Sequence, residues 1–362
     1  MKFYKKELDA LKRANIFRKR TLYSEELNDF ASNDYLGLSS KKSLFKKACK
    51  KIKKYKFHAS KASTLVNGYH PVHQEFEEYI SKRNSFEKAL VMGSGFLANL
   101  SIFESLPRRG DLLLFDEEYH ASGLIATNLN DAKVLKFPHN NPQELEKIIK
   151  EHSYNRLIIA VEGVYSMSGD ILKREFFDIA KIYEAILVVD EAHSVGVVGD
   201  NLLGVFEHYG ITPQPNHIKM GTLGKALGSY GAYILSSNEI YEFLCNRAKA
   251  LIYATAPSPF DIALALEGFL YIDKNSKKLS KKIDNRREKI KKALGIEIDA
   301  LILRIEIGSS KRVMFIKDEL QKRGFLVGAI RPPTVKKAML RVIPRVSQKR
   351  FGKLLRLLEG IQ

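Results

Sequence analysis

The chain has 362 residues, of which 45% are hydrophobic and 28% are charged, and its net charge is +19. This size and composition exclude a disordered protein and leave room for one large and one small domain. No apolar run approaches the roughly 20 residues of a membrane span, and residues 1–20 lack the apolar centre of a signal peptide, so we expect a cytoplasmic protein that does not bind membranes. Cys49 and Cys245 are far apart and form no metal-binding spacing, so we expect no metal site.

The positive charge first suggests nucleic-acid binding. The lysines, however, are concentrated in two helical runs, residues 41–56 and 277–292, and such runs are usually solvated helix faces. No zinc-finger spacing or RNA-recognition signature accompanies them. We therefore expect no nucleic-acid partner, and a basic nucleic-acid-binding protein without a cofactor stays as the alternative of a different class. The charge also suits attraction of an anionic substrate carrier.

The first part of the chain begins with an amphipathic stretch and then contains two segments that are predicted to form turns. Residues 2–20 predict a helix with Arg18 at its end, and residues 29–38 predict a short strand that runs into a turn. A polar stretch precedes a helix predicted from about Gln74. A strand at residues 89–92 then breaks at Gly93-Ser94-Gly95-Phe96 and resumes as a helix, which either places backbone N–H groups for a phosphate or is an ordinary strand-to-helix turn.

The middle of the chain alternates apolar runs with helix-length intervals, which predicts an α/β fold with a mostly parallel sheet covered by helices. Ligands of such sheets bind beyond the carboxyl ends of the strands. The runs are residues 112–115, 133–137, 157–161, 186–189, 218–222 and 232–235. The polar residues that follow them, and are therefore candidates for a site, are His120, Ser166, Asp190, His193, Thr222 and Lys225.

The pattern changes after residue 250. A long helix is predicted to reach about Leu294, and the remaining strands and helices are typical of a small α+β domain. The strands are predicted at residues 301–307, 325–330 and 339–342, and the helices at 311–323 and 348–360. We divide the chain into an N-terminal helix and opening segment (1–35), a large cofactor-binding domain (36–250) and a small C-terminal domain (251–362).

The apolar run that ends in Asp190 carries the strongest chemical signal. An aspartate at the end of a buried strand needs a cation nearby, and a protonated pyridine nitrogen is one. Asp190, His193 and the glycine-bounded Lys225 together resemble the pyridoxal-phosphate enzymes of fold type I. Residues 33–38, Asn-Asp-Tyr-Leu-Gly-Leu, resemble the α-oxoamine synthases of that fold.

This resemblance implies a role for each marked residue. Lys225 would bind pyridoxal 5'-phosphate covalently and act as the base, Asp190 would keep the ring nitrogen protonated, and His120 would lie against the ring face. His193 would bond the phenolic oxygen. Without the family, His120 is a loop histidine at a helix start and Ser166 a helix-capping serine. The expected cofactor contacts are Gly95, Phe96, His120, Ser166, Asp190, His193, Thr222, Lys225 and, across a subunit boundary of a homodimer with shared sites, Thr255.

The segment Gly-Ala-Ile-Arg-Pro-Pro-Thr-Val at residues 328–335 resembles the alanine-using branch of the family. It implies condensation of L-alanine with a pimeloyl thioester of coenzyme A (CoA) or acyl carrier protein (ACP) in biotin synthesis. The alternative is a sister enzyme such as glycine C-acetyltransferase. Two segments depart from the family pattern, residues 61–64 and those after Thr334. The expected substrate-binding residues are Arg18, Asn33, His120, Arg331 and Thr334, with Arg331 gripping the alanine carboxylate.

Overall fold

The computed structural model describes residues 3–14 and 16–361. No helix in those ranges is both long and apolar enough to cross a membrane. The α-helices are α1 (Lys5–Arg13), α2 (Lys42–Ile52), α3 (Pro71–Asn84), α4 (Gly95–Ser105), α5 (Ala121–Ala126), α6 (Pro142–Lys150), α7 (Glu175–Ile182), α8 (Val205–His208), α9 (Asn238–Arg247), α10 (Lys249–Ile252), α11 (Pro259–Leu294), α12 (Ser310–Lys322) and α13 (Phe351–Glu359). The β-strands are β1 (Asn28–Phe30), β2 (Lys88–Met92), β3 (Leu112–Asp116), β4 (Lys133–Phe137), β5 (Leu157–Glu162), β6 (Ile186–Asp190), β7 (His217–Thr222), β8 (Ala232–Ser236), β9 (Leu303–Gly308), β10 (Phe325–Ile330) and β11 (Ala338–Val342).

Seven strands form the larger sheet, in the order β2-β8-β7-β6-β5-β3-β4. The strands from β3 to β7 pair in parallel, whereas β8 is antiparallel to both of its neighbours. The loop 223–231 between β7 and β8 contains no helix, and an antiparallel pair is what such a short connection allows. The predicted α/β fold class with a mostly parallel sheet is confirmed.

The central strands are buried along their whole length, which explains their nearly continuous apolar sequences. Every residue of β3 and β5 is buried, as expected when helices cover both faces of a parallel sheet. Glu162 and Asp190 are charged residues at the ends of the otherwise apolar strands β5 and β6. These residues are direct partners in the strand register, so two carboxylates lie side by side at the carboxyl edge of the sheet.

The smaller sheet has the order β1-β10-β11-β9 and joins distant parts of the chain. β1 pairs in parallel with β10, and Asp29 lies opposite Leu326. Arg345 holds the turn after β1, because its guanidinium lies 2.8 Å from Asp29 Oδ2 and also pairs with Asp34. The small sheet therefore carries the segment that contains Asn33 and Tyr35 to the edge of the large sheet.

The long helix α11 is confirmed where the apolar pattern predicts it. Ser258 caps its first turn by accepting a hydrogen bond from the Asp261 backbone N–H, and Pro259 occupies the first position, where no amide hydrogen is needed. The helix ends at Gly295, whose φ of +67° places it in the left-handed region that favours glycine. It packs against α2, α3 and α13, and its residues take part in two hydrophobic clusters, one with Ile262 and one with Ile290.

The helix predicted over residues 2–20 is wrong in its extent. α1 ends at Arg13, and residues 16–24 are not helical. Lys2 and Asn15, which the predicted helix included, lie outside the described residues. None of the residues of α1 is buried, so no packing surface supports a longer helix, and the run of cations at residues 18–20 disfavours one.

The strands of the large sheet all lie within residues 36–250, and those of the small sheet lie within 1–35 and 251–362. The other predicted strands and helices appear with ends shifted by a few residues, as in the helix predicted from Gln74, which begins at Pro71. The division into three parts stays a prediction.

Candidate active site

A cavity of about 220 Å³ lies where β5, β6 and β7 end. This is the edge of a parallel sheet at which ligands are expected to bind. The cavity is lined by Gly95, Phe96, Asn99, His120, Ser122, Glu162, Asp190, Ala192, His193, Met220, Thr222 and Lys225. The structure therefore brings together most of the residues that the sequence predicts for the cofactor.

Lys225 supplies the amine of this cavity that can act as a nucleophile. Its Nζ lies 2.8 Å from Nε2 of His193, whose Nδ1 lies 2.5 Å from the hydroxyl of Tyr35. Burial lowers the pKa of Lys225 to about 8, although the charges of Asp190 and Glu162 oppose the shift. A substantial fraction of the amine is thus neutral near pH 8, as attack on a carbonyl requires.

Asp190 is held rigidly at the floor of the cavity. Its Oδ1 accepts a hydrogen bond from the Ala192 backbone N–H at 2.9 Å, and its Oδ2 accepts one from Asn99 Nδ2 at 3.1 Å. Asn99 is oriented in turn by the hydroxyl of Tyr119, which donates to its Oδ1 at 2.9 Å. The carboxylate is buried without a cation among these partners, which suits a cationic ligand atom in the cavity.

Glu162 links two loops at the cavity, a role that the sequence analysis did not assign. One of its oxygens accepts a hydrogen bond from the His120 backbone N–H at 2.7 Å, and the other accepts one from the Ser166 backbone N–H at 3.0 Å. Burial, with the neighbouring charge of Asp190, raises the pKa of Glu162 well above its usual value. Burial likewise lowers the pKa of His120, against the charge of Asp190, so its ring is neutral at pH 7.

The start of α4 and the end of β7 form a cradle with room for a phosphate. Ser94 caps the helix by accepting a hydrogen bond from the Leu97 N–H at 3.2 Å. A Cβ on Gly95 would lie only 2.8 Å from the methyl group of Thr222, so the backbone approaches closely here. The hydroxyl of Thr222 is buried and has no partner within the described ranges. These donors and the helix dipole fit an anionic group.

Arg341 is the functional candidate that the sequence analysis missed. It lies in the buried strand β11, where it donates from Nη1 to Oδ1 of Asn33 at 2.9 Å and from Nε to the Ser166 carbonyl at 2.7 Å. Its Nη2 is buried without a partner in the described part of the chain. This buried guanidinium, next to Asn33, can donate hydrogen bonds from Nη2 to a bound carboxylate. The available signal was a charged residue inside an apolar strand pattern, because such a charge must have a buried partner.

A second cavity, of about 690 Å³, adjoins the first through His120. Ser166, Met167 and Thr334 line it together with cationic side chains such as Lys336. Two predicted residues thus face this larger space instead of the cavity that contains Lys225. Its size suits an extended substrate beside the smaller cofactor-sized cavity.

Four predicted residues, Asn33, Arg331, Arg18 and Thr255, are not among the residues that line either cavity, although Asn33 contacts Arg341. Arg331 is half-buried at the end of β10, and Arg18 is exposed in the segment after α1. Thr255 is exposed, and its backbone pairs with Ser63, in the segment that departs from the family pattern. Their assigned roles stay predictions.

The residues of the small cavity fit pyridoxal 5'-phosphate. Lys225 supplies an amine for the aldehyde, Asp190 a carboxylate for the ring nitrogen, and the unpartnered hydroxyl of Thr222 at the glycine cradle a donor for the phosphate. Each of these groups is buried or partly buried and is left with bonding capacity that such a ligand would use.

Comparisons with known proteins agree with this arrangement. The family model of class I and II aminotransferases matches residues 25–358. The chain is 44% identical to the 8-amino-7-oxononanoate synthase of Helicobacter pylori, over 94% of this chain and 91% of that protein. It is 36% identical to the synthase of the same name from Methylobacterium nodulans, over 84% of this chain and 78% of the relative.

Two solved structures support the same relationship at the level of the fold. The 8-amino-7-oxononanoate synthase of Francisella tularensis superimposes with a TM-score of 0.77 at 28% identity, covering 93% of this chain and 98% of that one. A variant of serine palmitoyltransferase from S. paucimobilis, solved with a bound PLP–myriocin aldimine, gives a TM-score of 0.87 at 22% identity over 98% of this chain and 95% of that one. The chain belongs to the class I and II aminotransferase family and, within it, to the group of the 8-amino-7-oxononanoate synthases.

Proposed function

We propose that the chain catalyses the decarboxylative condensation of L-alanine with a pimeloyl thioester, a step of biotin biosynthesis, with pyridoxal 5'-phosphate as cofactor. The relatives named above support the reaction, and the observation that carries it here is Lys225, which lines one cavity with Asp190 and His193. The thioester is carried by CoA or by ACP. Bound pyridoxal phosphate supplies an electron sink for the negative charge that develops at the α-carbon of alanine.

The residues around the cavity bind the cofactor and the alanine, and one of them transfers a proton. Lys225 holds the cofactor and, when displaced, takes the α-proton of alanine onto Nζ. Asp190 keeps the proton on the ring nitrogen. Arg341 and Asn33 hold the alanine carboxylate, because the unpartnered Nη2 of Arg341 is placed next to the amide of Asn33. Orienting this carboxylate selects the bond that breaks when carbon dioxide leaves.

The other predicted contacts complete the proposal. Gly95, Phe96 and Thr222 hold the phosphate, and His120 lies against the ring. Arg18, Arg331 and Thr334 contact the substrates, with Thr334 in the larger cavity, where the acyl chain has room. We further propose a homodimer in which Thr255 of one chain contacts the phosphate held by the other.

One experiment tests the attachment site. The chain loaded with pyridoxal phosphate is treated with borohydride and digested, and mass spectrometry identifies the modified peptide. We expect the label on Lys225, and we expect Lys225→Ala to lower kcat by roughly a thousandfold. Label on another lysine, with full activity of Lys225→Ala, would overturn the assignment.

A second experiment tests the substrate pair. Release of free thiol and of carbon dioxide is measured with alanine, glycine or serine, each with pimeloyl-CoA or acetyl-CoA. We expect turnover with alanine and pimeloyl-CoA. Turnover confined to glycine and acetyl-CoA would instead identify the sister enzyme, glycine C-acetyltransferase.

A further inference from the structure

Tyr35, His193 and Lys225 form a hydrogen-bonded chain that the proposed mechanism has not used. All three side chains lie at the same end of the sheet, and Tyr35 and His193 are buried. We propose that Tyr35 is a positioning residue that fixes the proton of the neutral His193 ring on Nε2, so that this nitrogen presents an N–H to Lys225. The inference rests on the proposed function for its catalytic meaning, but not for its geometry.

The direction of the bond between Tyr35 and His193 follows from the surroundings of the hydroxyl. The positive charge of Arg341 acts on the Tyr35 hydroxyl and opposes the rise of its pKa. A cation nearby attracts the hydroxyl oxygen and turns the hydroxyl hydrogen away from itself, towards another acceptor. Nδ1 of His193, at 2.5 Å, is that acceptor. A neutral imidazole that accepts at Nδ1 carries its hydrogen on Nε2.

The charge states of the two residues agree with this direction. Burial raises the pKa of Tyr35 to about 12, even with Arg341 beside it, so its hydroxyl keeps the hydrogen. Burial, reinforced by the charges of Lys225, Arg341 and His120, lowers the pKa of His193 well below its usual value, so its ring is neutral. An imidazolium, which would donate from both nitrogens, is thereby excluded at neutral pH.

The assigned tautomer has a consequence for Lys225. An N–H at Nε2 can donate to a neutral amine but not to an ammonium group, so the tautomer favours the unprotonated lysine. Arg341 acts in the same direction, whereas Asp190 and Glu162 favour the ammonium form. Tyr35 therefore acts on the amine through one intervening ring. The same N–H is the donor that the predicted contact between His193 and the phenolic oxygen of the cofactor requires.

Tyr35 is also held in place independently of this chain. The Val346 backbone N–H donates to its carbonyl at 2.9 Å, and its ring meets His193 edge-on with centroids 6.1 Å apart. Replacement by phenylalanine keeps the ring and removes only the hydroxyl. The matched control is Tyr233→Phe, because the Tyr233 hydroxyl is equally buried but has no partner within the described ranges.

The test uses the full chain before addition of pyridoxal phosphate, labelled with ¹⁵N at histidine, with the His193 signals assigned from a His193→Gln variant. We expect the wild type and Tyr233→Phe to show the hydrogen of His193 on Nε2, and Tyr35→Phe to lose this preference. We also expect the pH at which Lys225 becomes reactive toward an amine-acylating reagent to rise by about one unit in Tyr35→Phe only.

In the loaded enzyme, Tyr35→Phe should lower kcat roughly five- to tenfold, with little change in KM for the thioester. A hydrogen on Nδ1 of His193 in the wild type would overturn the inference, as would unchanged His193 signals and an unchanged reactivity profile in a folded Tyr35→Phe protein. Because the NMR measurement needs no turnover, failure of the proposed reaction would leave this result interpretable on its own.

Discussion

Arg341 and Arg331 are close in sequence but differ in burial and in contacts. Arg341 is buried in β11 and touches Asn33 and the Ser166 carbonyl, whereas Arg331 is half-buried at the end of β10. A carboxylate bound by a buried guanidinium gains more free energy than one bound at the surface, because water competes less for the hydrogen bonds.

This difference gives a prediction at the residue scale. Arg341→Lys keeps the charge but loses the fork of donors, so we expect KM for alanine to rise roughly tenfold or more, with KM for the thioester nearly unchanged. Arg331→Lys changes a half-buried guanidinium at which water competes for the carboxylate, and should raise KM for alanine less, by about twofold. Steady-state kinetics with alanine varied provides the measurement. The reverse pattern would restore Arg331 as the carboxylate ligand.

The sequence predicted the residues whose chemistry depends on local context and missed the one that depends on distant contacts. Asp190 follows a buried strand and Lys225 lies among glycines, and both features are readable within a few residues. Arg341 gains its role from Asn33 and Ser166, which come from other parts of the chain. No periodicity in the sequence encodes that proximity, since it arises only when the small sheet packs on the large one.

At the scale of elements, a histidine clamps the loop that contains Ser166. His139, just after β4, places Nδ1 3.0 Å from Asp116 Oδ1 at the end of β3 and Nε2 3.1 Å from Asp170 Oδ2 in that loop. Burial alone would lower the pKa of His139, but the hydrogen bonds and charges of the two aspartates outweigh it and raise the pKa to about 10.

The sign of the pH dependence follows from this raised pKa. The folded protein holds the His139 proton more tightly than the unfolded chain, so the stabilisation is complete below about pH 6.5 and is lost as the pH rises to about 10. We expect the free energy of unfolding to fall between pH 7 and 10 by about 1–2 kcal/mol more in the wild type than in His139→Gln, after allowance for solvent screening. Urea titrations at several pH values measure it. His152→Gln, whose ring bonds a backbone carbonyl, is the control.

A buried ion pair joins β6, β7 and α8 behind the active site. Nζ of Lys219 is fully buried and lies 3.6 Å from Oε1 of Glu191 and 2.8 Å from Asn84 Oδ1. Glu191 also accepts a hydrogen bond from the Val205 N–H at 2.9 Å, at the start of α8. Every partner of the carboxylate is thus a donor, and the lysine is the cation among them.

Removal of that cation should be costly. We expect Lys219→Ala to lower the free energy of unfolding by about 3–5 kcal/mol, because it leaves Glu191 buried and uncompensated. Lys292→Ala removes the partner of Glu288 in an ion pair whose two side chains are exposed, and should cost less than about 1 kcal/mol. Denaturant titration compares the two variants. A cost below about 1 kcal/mol for Lys219→Ala would show that the neighbouring N–H groups alone satisfy Glu191.

Periodicity predicted most helices and strands, because their apolar patterns match what the fold buries. α11 illustrates this, since its apolar positions face α2 and α3 and its capping residues are local. The first helix shows the limit of the method. Its amphipathic pattern faces no partner within the described residues, and a short helix without packing is not stabilised along its whole pattern.

For the whole molecule, exposed apolar side chains support the proposed homodimer. Leu22 and Tyr253 are fully and four-fifths exposed, and Phe3 and Val66 are almost as exposed. Where such side chains share one surface, a second chain that covered them would remove their apolar area from water. The predicted role of Thr255, which lies two residues after Tyr253, requires such a partner.

Mixed dimers test the sharing of sites. If Thr255 serves the Lys225 of the other chain, dimers formed from Lys225→Ala and Thr255→Ala chains contain one intact site each. In an equal mixture about half of the dimers contain both variants, and one of the two sites in each is intact. We therefore expect roughly a quarter of the wild-type activity at saturating cofactor, more than the sum of the activities of the separate variants. Light scattering should give the mass of two chains. A monomeric mass, or a mixture no more active than its components, would contradict the shared site.

Because β1 pairs with β10, the segment with Asn33 and Tyr35 depends on residues near the other end of the chain. Asn33 and Tyr35 are made early, but the strand that orders them and the arginines that hold them, Arg341 and Arg345, are translated after the entire large sheet. A chain interrupted in translation, or cut by a protease before β10, therefore lacks the strand and the arginines that order the segment with Asn33 and Tyr35.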